Sequence, residues 1–139
     1  TQDWMTIYGS ELSGIYSVTD FNTVIAVEGI ERQGYSTNWR EENGIIVIST
    51  DGTPDSIALI RDHRLAGVVS QNAVKIGEKS AEIVEQYLAE KKQVDSFYYI
   101  PSMLITSENI DSEAVQSFGL WADWYQERTT GGGEKSWKE

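Results

Sequence analysis

The sequence predicts an α/β fold with a mainly parallel sheet flanked by helices. Short apolar runs of strand length alternate along the chain with longer amphipathic stretches, which is the pattern of βαβ units. Residues 45–48 are apolar throughout, as expected of a strand that is buried on both faces of a parallel sheet. Turn and capping residues separate these stretches, so we expect a helix after each of the first three strands.

The first predicted elements are a helix end, a strand and a complete helix. Gly9 ends the opening helical stretch, and residues 15–19 form a strand. Asp20 is a candidate N-cap for the next helix, since a short acceptor side chain suits that position. Gly34 is placed to end this helix just after its last turn, where glycine is common.

The middle of the chain continues the alternation. After the strand 45–48, Thr53 is a good N-cap, and Pro54 occupies the first helical position, where its missing N–H costs nothing. Residues 65–70 form a third strand. Residues 74–91 form the longest helix, with its apolar side chains on one side.

The last third of the chain is less regular. Residues 97–100 and 103–106 have strand character and are separated by Pro101. Ser112 is expected to cap a final, Trp-rich helix. Residues 129–139 include three consecutive glycines and are expected to be disordered.

The composition argues against several classes of function. The formal net charge is −11, whereas phosphate binding needs clustered Lys and Arg, so we expect no nucleic-acid partner. The chain has no cysteine, which excludes a thiol nucleophile and a cysteine zinc site. His63, the single histidine, lies in a charged tract typical of a solvated helix end. With no nucleophile elbow and no phosphate-binding loop, we predict no catalytic residue, metal or cofactor.

Polar side chains follow three predicted parallel strands. Thr19 and Asp20 follow the first strand, Asp51 the second and Gln71 the third. In open α/β sheets, ligands bind beyond the carboxyl ends of the strands. A carboxylate accepts hydrogen bonds from two adjacent sugar hydroxyls, and an amide both donates and accepts. Asp51 and Gln71 are therefore the main candidates for ligand contact, although helix capping and a hinge role are their respective structural alternatives.

The chain resembles a known family in four segments. Residues 49–55, Ser-Thr-Asp-Gly-Thr-Pro-Asp, resemble the signature of the ribose- and galactose-type sugar-binding proteins of the type I periplasmic binding protein superfamily. Residues 65–71 resemble the family's next strand and crossover glutamine. Residues 100–111 are similar to its closing strand, and residues 3–20 to its preceding helix and strand. Effector domains related to lactose repressor share this fold.

The resemblance implies the carboxy-terminal part of a two-lobed fold with three crossovers and a ligand cleft between the lobes. Residues 1–71 would belong to the second lobe and residues 72–107 to the first. Residues 108–111 would form the last crossover, and residues 112–139 an extra helix and a disordered tail. The first-lobe aromatic and arginine side chains that hold the sugar in the family belong to segments that precede this one.

The resemblance also implies roles for individual residues. Asp51 and Gln71 match ligand contacts of the family, and Asp20 matches its strand-end aspartate. Thr19 stands where the family usually has asparagine. The implied ligand-binding residues are Asp51, Gln71, Asp20 and Thr19, and the implied hinge residues are Gln71, Asn72, Glu108 and Asn109.

The function implied is the binding of a monosaccharide or similar small ligand, without catalysis, for an ABC-type uptake or chemosensory system. A membrane permease or a sensor kinase would then recognise the closed receptor. The alternatives are the effector-binding core of a lactose-repressor-type transcription regulator and an extracellular sugar sensor that feeds a histidine kinase. A receiver domain is disfavoured, because no acidic pair follows the first strand.

Two further expectations concern location and assembly. The resemblance implies a periplasmic or extracellular protein, and because the sequence opens at Thr1 we expect its export signal, or lipid anchor, to lie upstream. The apolar side of the helix 74–91 must be covered, either by the chain's own sheet or by exchange with a second copy, which would give self-association.

Overall fold

Four strands form one mixed sheet in the computed structural model, which describes residues 2–118. Three parallel strands lie side by side in chain order: β1 (Gly14–Tyr16), β2 (Ile46–Asp51) and β3 (Gly67–Ser70). The fourth, β4 (Met103–Ile105), pairs antiparallel with β3. The predicted fold class is therefore confirmed, with one antiparallel strand at the edge.

Five helices and a short 3₁₀ turn accompany the sheet. The helices are α1 (Gln2–Tyr8), α2 (Asp20–Arg32), α3 (Pro54–Arg61), α4 (Ala73–Leu88) and α5 (Glu113–Phe118), and the 3₁₀ turn is Gly9–Glu11. As predicted, Thr53 caps α3, with Pro54 at its start. The N-cap of α2 is Thr19 and not Asp20, because the Thr19 side chain accepts the hydrogen bond from the Asn22 N–H. None of the helices in the described part of the chain is long and apolar enough to cross a membrane.

The core lies between the sheet and the helices α2 and α3. Its fully buried members include Val27 and Ile30 of α2, Ile60 of α3, and the strand residues Val47 and Val68. Burial of a side chain of this size contributes about 1.5–3 kcal/mol relative to exposure. This packing fixes both helices against β2 and β3, and so fixes the strand ends that carry the candidate site.

The last third of the chain differs from the prediction in two respects. Residues 97–100 do not form a strand, and Phe97 and Tyr99 are both 76% exposed, because no strand of the described chain pairs with them. β4 joins the sheet formed by the first 71 residues, with Ile105 completely buried in the same core. We expected this strand to group with the first lobe, whereas in this structure it pairs with the open edge of β3.

Helix α4 is the least covered element. None of its residues is buried. Its apolar side exposes Ile76, Val84, Tyr87 and Leu88 at 40% to 59%. The expectation that this helix packs back on its own sheet is therefore not met. The final helix is described only as far as Phe118, so the predicted Trp-rich extension and disordered tail lie outside the described residues.

Candidate functional site

The carboxyl ends of the three parallel strands meet at one edge of the sheet. Asp51, the last residue of β2, is in register with Ser70, the last residue of β3. A cavity of about 250 Å³ opens at this edge. Its lining includes Tyr16, Thr50, Gln71, Asn72, Ile100 and Ser102. The edge predicted from the order of strands and helices therefore carries a real concavity, which we call the strand-end pocket.

Asp51 is half-buried at the end of β2, where it follows the pocket-lining residue Thr50 without lining the pocket itself, and it has an unusual backbone. Its φ angle is 121°, a region that residues with a side chain rarely adopt. Its carboxylate Oδ2 accepts a hydrogen bond from the backbone N–H of Asp20 at 3.2 Å. Gly52 follows with φ 91°, and a Cβ there would lie 2.5 Å from Ser70 Oγ. The close approach of β2 and β3 at this point therefore depends on glycine.

Asp20 has a different environment from the other predicted contacts, because it is only 1% exposed. Its Oδ2 accepts hydrogen bonds from the Gly52 N–H at 2.9 Å and the Thr53 N–H at 2.6 Å. Its Oδ1 accepts a further bond from the Ser49 hydroxyl. Asp20 and Asp51 thus each bind backbone N–H groups of the other's segment, an arrangement that we call the reciprocal clamp.

The remaining predicted ligand contacts are more open. Gln71 is exposed and lines the strand-end pocket, and its backbone N–H donates to the Asp51 carbonyl at 3.3 Å. The Thr19 hydroxyl accepts from the Asn22 N–H at 3.4 Å, so it serves as a helix cap. The structure therefore brings Asp51 and Gln71 together at one edge of the sheet. Thr19 precedes the first turn of α2, which contacts Asp51 through Asp20.

The four predicted hinge residues fall at two ends of the sheet. Asn72 is 2% exposed beside Gln71, where its Oδ1 caps α4 by accepting from the Lys75 N–H at 2.9 Å. Glu108 and Asn109 follow β4, which runs away from the strand-end pocket. The Asn109 side chain accepts from the Thr106 N–H at 2.8 Å and donates to the Leu104 carbonyl at 2.9 Å, which holds a tight turn. The segment that instead lies beside Gln71 and Asn72 is 100–102.

Tyr16 and Thr50 line the strand-end pocket, although the sequence alone did not single them out as candidate contacts. The Tyr16 hydroxyl lies 2.9 Å from Thr50 Oγ1. Neither residue stands at the end of a predicted strand, since the predicted strands are 15–19 and 45–48. Thr50 directly precedes Asp51, and Tyr16 ends β1.

A larger cavity, of about 530 Å³, lies beside the first turns of α2 and α3. Its lining is mainly apolar and includes Phe21, Val24, Ile25 and Pro54. Only Asp20 and Asp55 bring carboxylates to it, and that of Asp20 is occupied by the reciprocal clamp. The smaller strand-end pocket therefore offers more polar groups to a hydroxylated ligand.

The described residues show no group suited to metal binding. Within residues 2–118, no three His, Asp or Glu side chains are close enough to hold a metal ion. The ring of His63 is hydrogen-bonded through Nε2 to the Arg40 guanidinium at 3.3 Å. His63 is half-buried, and its Nδ1 is buried without a hydrogen-bond partner.

These features define a class of protein: an α/β domain with a pocket of mixed polar and apolar lining at the carboxyl ends of its parallel strands. The family described as "Periplasmic binding protein domain" matches residues 1–92, and the chain belongs to this family. Comparison with curated protein sequences gives no significant match.

Solved structures of sugar receptors share the fold. A periplasmic ribose ABC transporter protein from Conexibacter woesei is 26% identical, with a TM-score of 0.69 over 90% of this chain. An ABC transporter solute-binding protein from Agrobacterium vitis, with bound D-fucose, is 22% identical, with a TM-score of 0.72 over 86% of this chain. An arabinose-transporter binding protein from a Shewanella species is 15% identical, with a TM-score of 0.72 over 99% of this chain. This chain spans 38%, 38% and 42% of their respective lengths.

Proposed function

We propose that this chain binds a neutral monosaccharide at the strand-end pocket, as part of a solute receptor of an ABC-type sugar uptake or chemosensory system. The observation that carries the proposal is that Asp51 and Gln71 stand at adjacent strand ends, at the edge of the sheet where Gln71 lines the strand-end pocket. Asp51 would accept hydrogen bonds from two adjacent sugar hydroxyls, and Gln71 would donate to or accept from a third. The sugars named for the matching structures, among them ribose and D-fucose, support this ligand class.

The other two predicted contacts take lesser roles in this proposal. Asp20 is buried, and both oxygens of its carboxylate already accept hydrogen bonds from the protein. It would therefore hold Asp51 in place and not touch the ligand. Thr19 would approach the ligand only through the side of its hydroxyl that does not cap α2. Binding without catalysis follows, because the proposed contacts hold a neutral ligand and supply no activated nucleophile.

The exposed apolar side of α4 supports an assignment of residues 72–99 to a first lobe. An amphipathic helix needs a surface on which to bury its apolar side. Gln71, Asn72 and the segment 100–102 would then form two adjacent crossovers at the pocket. Ligand would be trapped by hinge closure between the lobes. Exchange of α4 with a second copy is the alternative cover, and light scattering that gives a dimer mass would favour it.

A receptor of this kind would act in the periplasm or outside the cell and be recognised by a permease or a sensor kinase when closed. Lipid anchoring belongs to the same proposal. The rival function is the effector-binding core of a transcription regulator, which would carry a basic DNA-binding segment. Sequencing of the coding region upstream separates the two by the presence of an export signal or a helix-turn-helix.

The proposal is tested by Asp51→Ala in the full-length protein, with affinity for D-ribose, L-arabinose and D-fucose measured by calorimetry. Loss of a charged hydrogen-bond acceptor should weaken binding by about 1.5–3 kcal/mol, or roughly 10- to 150-fold. Asp55→Ala is the matched control, because Asp55 is an exposed carboxylate four residues away that does not line the strand-end pocket. Equal affinity of Asp51→Ala and wild type would refute the assignment of the site.

A further inference from the structure

We infer that Tyr16 and Thr50 together read one hydroxyl group of the bound sugar and thereby set the receptor's specificity. This inference rests on the proposed function and adds a contact that neither the sequence motif nor the clamp residues supply. The two side chains come from neighbouring strands, β1 and β2, whose register pairs Tyr16 with Ile48. Their hydroxyl oxygens lie 2.9 Å apart, and both residues line the strand-end pocket together with Gln71.

The hydrogens of the Tyr16–Thr50 hydroxyl pair determine which hydrogen bonds the pair can make with a ligand. Each hydroxyl has one hydrogen and can also accept. Their mutual bond uses one hydrogen, so the pair keeps one O–H donor for a ligand. Gln71, which lines the same pocket, has both a donor and an acceptor in its side-chain amide. A sugar hydroxyl could therefore bond to Gln71 while a neighbouring one accepts from the pair.

The Tyr16 ring adds an apolar surface. The residue is 62% exposed although its hydroxyl is hydrogen-bonded, so much of the accessible area is ring. A sugar presents C–H groups on the faces of its ring and hydroxyls around the edge. An exposed aromatic ring next to a hydroxyl pair suits a ligand that has both C–H faces and hydroxyls. Both parts of this surface belong to strands β1 and β2 of this chain.

A site that forms a hydrogen bond with a ligand hydroxyl discriminates against the analogue that lacks it, because its own polar group is then left unpaired. The Tyr16–Thr50 pair should therefore create a preference for a hydroxylated sugar over the matching deoxy sugar. Removing the pair should remove the preference and leave the deoxy sugar's affinity almost unchanged.

The test uses the full-length protein as wild type, Tyr16→Phe and Thr50→Val. Affinities are measured by calorimetry for two sugar pairs, D-galactose with its deoxy counterpart D-fucose and D-ribose with deoxyribose. Tyr16→Phe keeps the ring, and Thr50→Val keeps the side-chain shape. Tyr8→Phe is the control, because Tyr8 is 52% exposed on α1 and does not line the strand-end pocket.

For at least one sugar pair, the variant that removes the hydroxyl bonded to the sugar should weaken binding of the hydroxylated member by about 3- to 10-fold, the scale of one neutral hydrogen bond. The deoxy member should bind as before, so the affinity ratio should fall towards one. Unchanged ratios in both variants, with sugar still bound, would overturn this inference and leave the proposed function standing. A wild-type protein that binds none of the sugars would overturn both.

Discussion

The clearest structural prediction concerns the buried carboxylate of the reciprocal clamp. Asp20→Ala removes the acceptor of three donors, the N–H groups of Gly52 and Thr53 and the hydroxyl of Ser49. The Ser49 hydroxyl can turn to Thr23 Oγ1, which already lies 2.7 Å away. The two backbone N–H groups have no such alternative, because their positions are fixed by β2 and α3.

The magnitude follows from those two N–H groups. A buried donor that loses its acceptor costs about 1–3 kcal/mol, so Asp20→Ala should lower the free energy of unfolding by about 2–5 kcal/mol. This is a large share of the roughly 5–15 kcal/mol that stabilises a typical domain. Asp20→Asn keeps one acceptor oxygen for the two donors and should cost about half as much. The side-chain amide of the Asp20→Asn variant would, however, bring its own N–H donors close to the N–H groups of Gly52 and Thr53.

Urea unfolding followed by circular dichroism measures these differences in the free energy of unfolding, provided that the variants have the same m-value as wild type. Asp55→Ala, at an exposed carboxylate in the first turn of α3, should cost less than about 1 kcal/mol. Asp20→Asn should also weaken sugar binding, because the clamp holds Asp51 in its unusual backbone conformation. If Asp20→Ala costs no more than Asp55→Ala, the carboxylate does not satisfy the N–H groups that start α3, and the clamp is not the source of stability.

Two further predictions concern the same lobe. Gly52→Ala should destabilise the fold by about 1–3 kcal/mol in urea unfolding, because φ 91° strains any side chain and the new Cβ would lie 2.5 Å from Ser70 Oγ; stability equal to wild type would contradict this. The hydrogen bond from Arg64, together with one from Thr37, holds the pKa of Glu31 below its usual value. A lowered folded-state pKa stabilises the fold above the unfolded pKa, and that stabilisation is lost as the pH falls through the folded-state value. At pH 7 the free energy of unfolding of wild type should therefore exceed that of Glu31→Gln by about 0.5–1 kcal/mol, because both partners are partly exposed, and the difference should shrink as the pH falls through the lowered pKa of Glu31. A difference that is independent of pH would refute the pairing.

Much of the fold could be predicted from local signals. Thr53 and Pro54 specify the start of α3 within a few residues of chain, and the predicted strand 45–48 overlaps the first half of β2. The prediction that residues 97–100 form a strand was wrong, because β-forming side chains become a strand only where another strand is available to pair with them.

Asp51 and Gln71 were predicted at strand ends, and the structure places them there. This was possible because the alternation of strands and helices along the chain is enough to locate the carboxyl end of each parallel strand. Asp20 and the Tyr16–Thr50 pair could not be predicted in this way. Their partners lie 29 to 34 residues away along the chain, and which atoms meet depends on the register of β1 against β2 and on how α2 packs. The sequence by itself determined which residues stand at the carboxyl ends of the strands, and only the tertiary structure decided which side chains line the pocket and which carboxylate is buried in backbone hydrogen bonds.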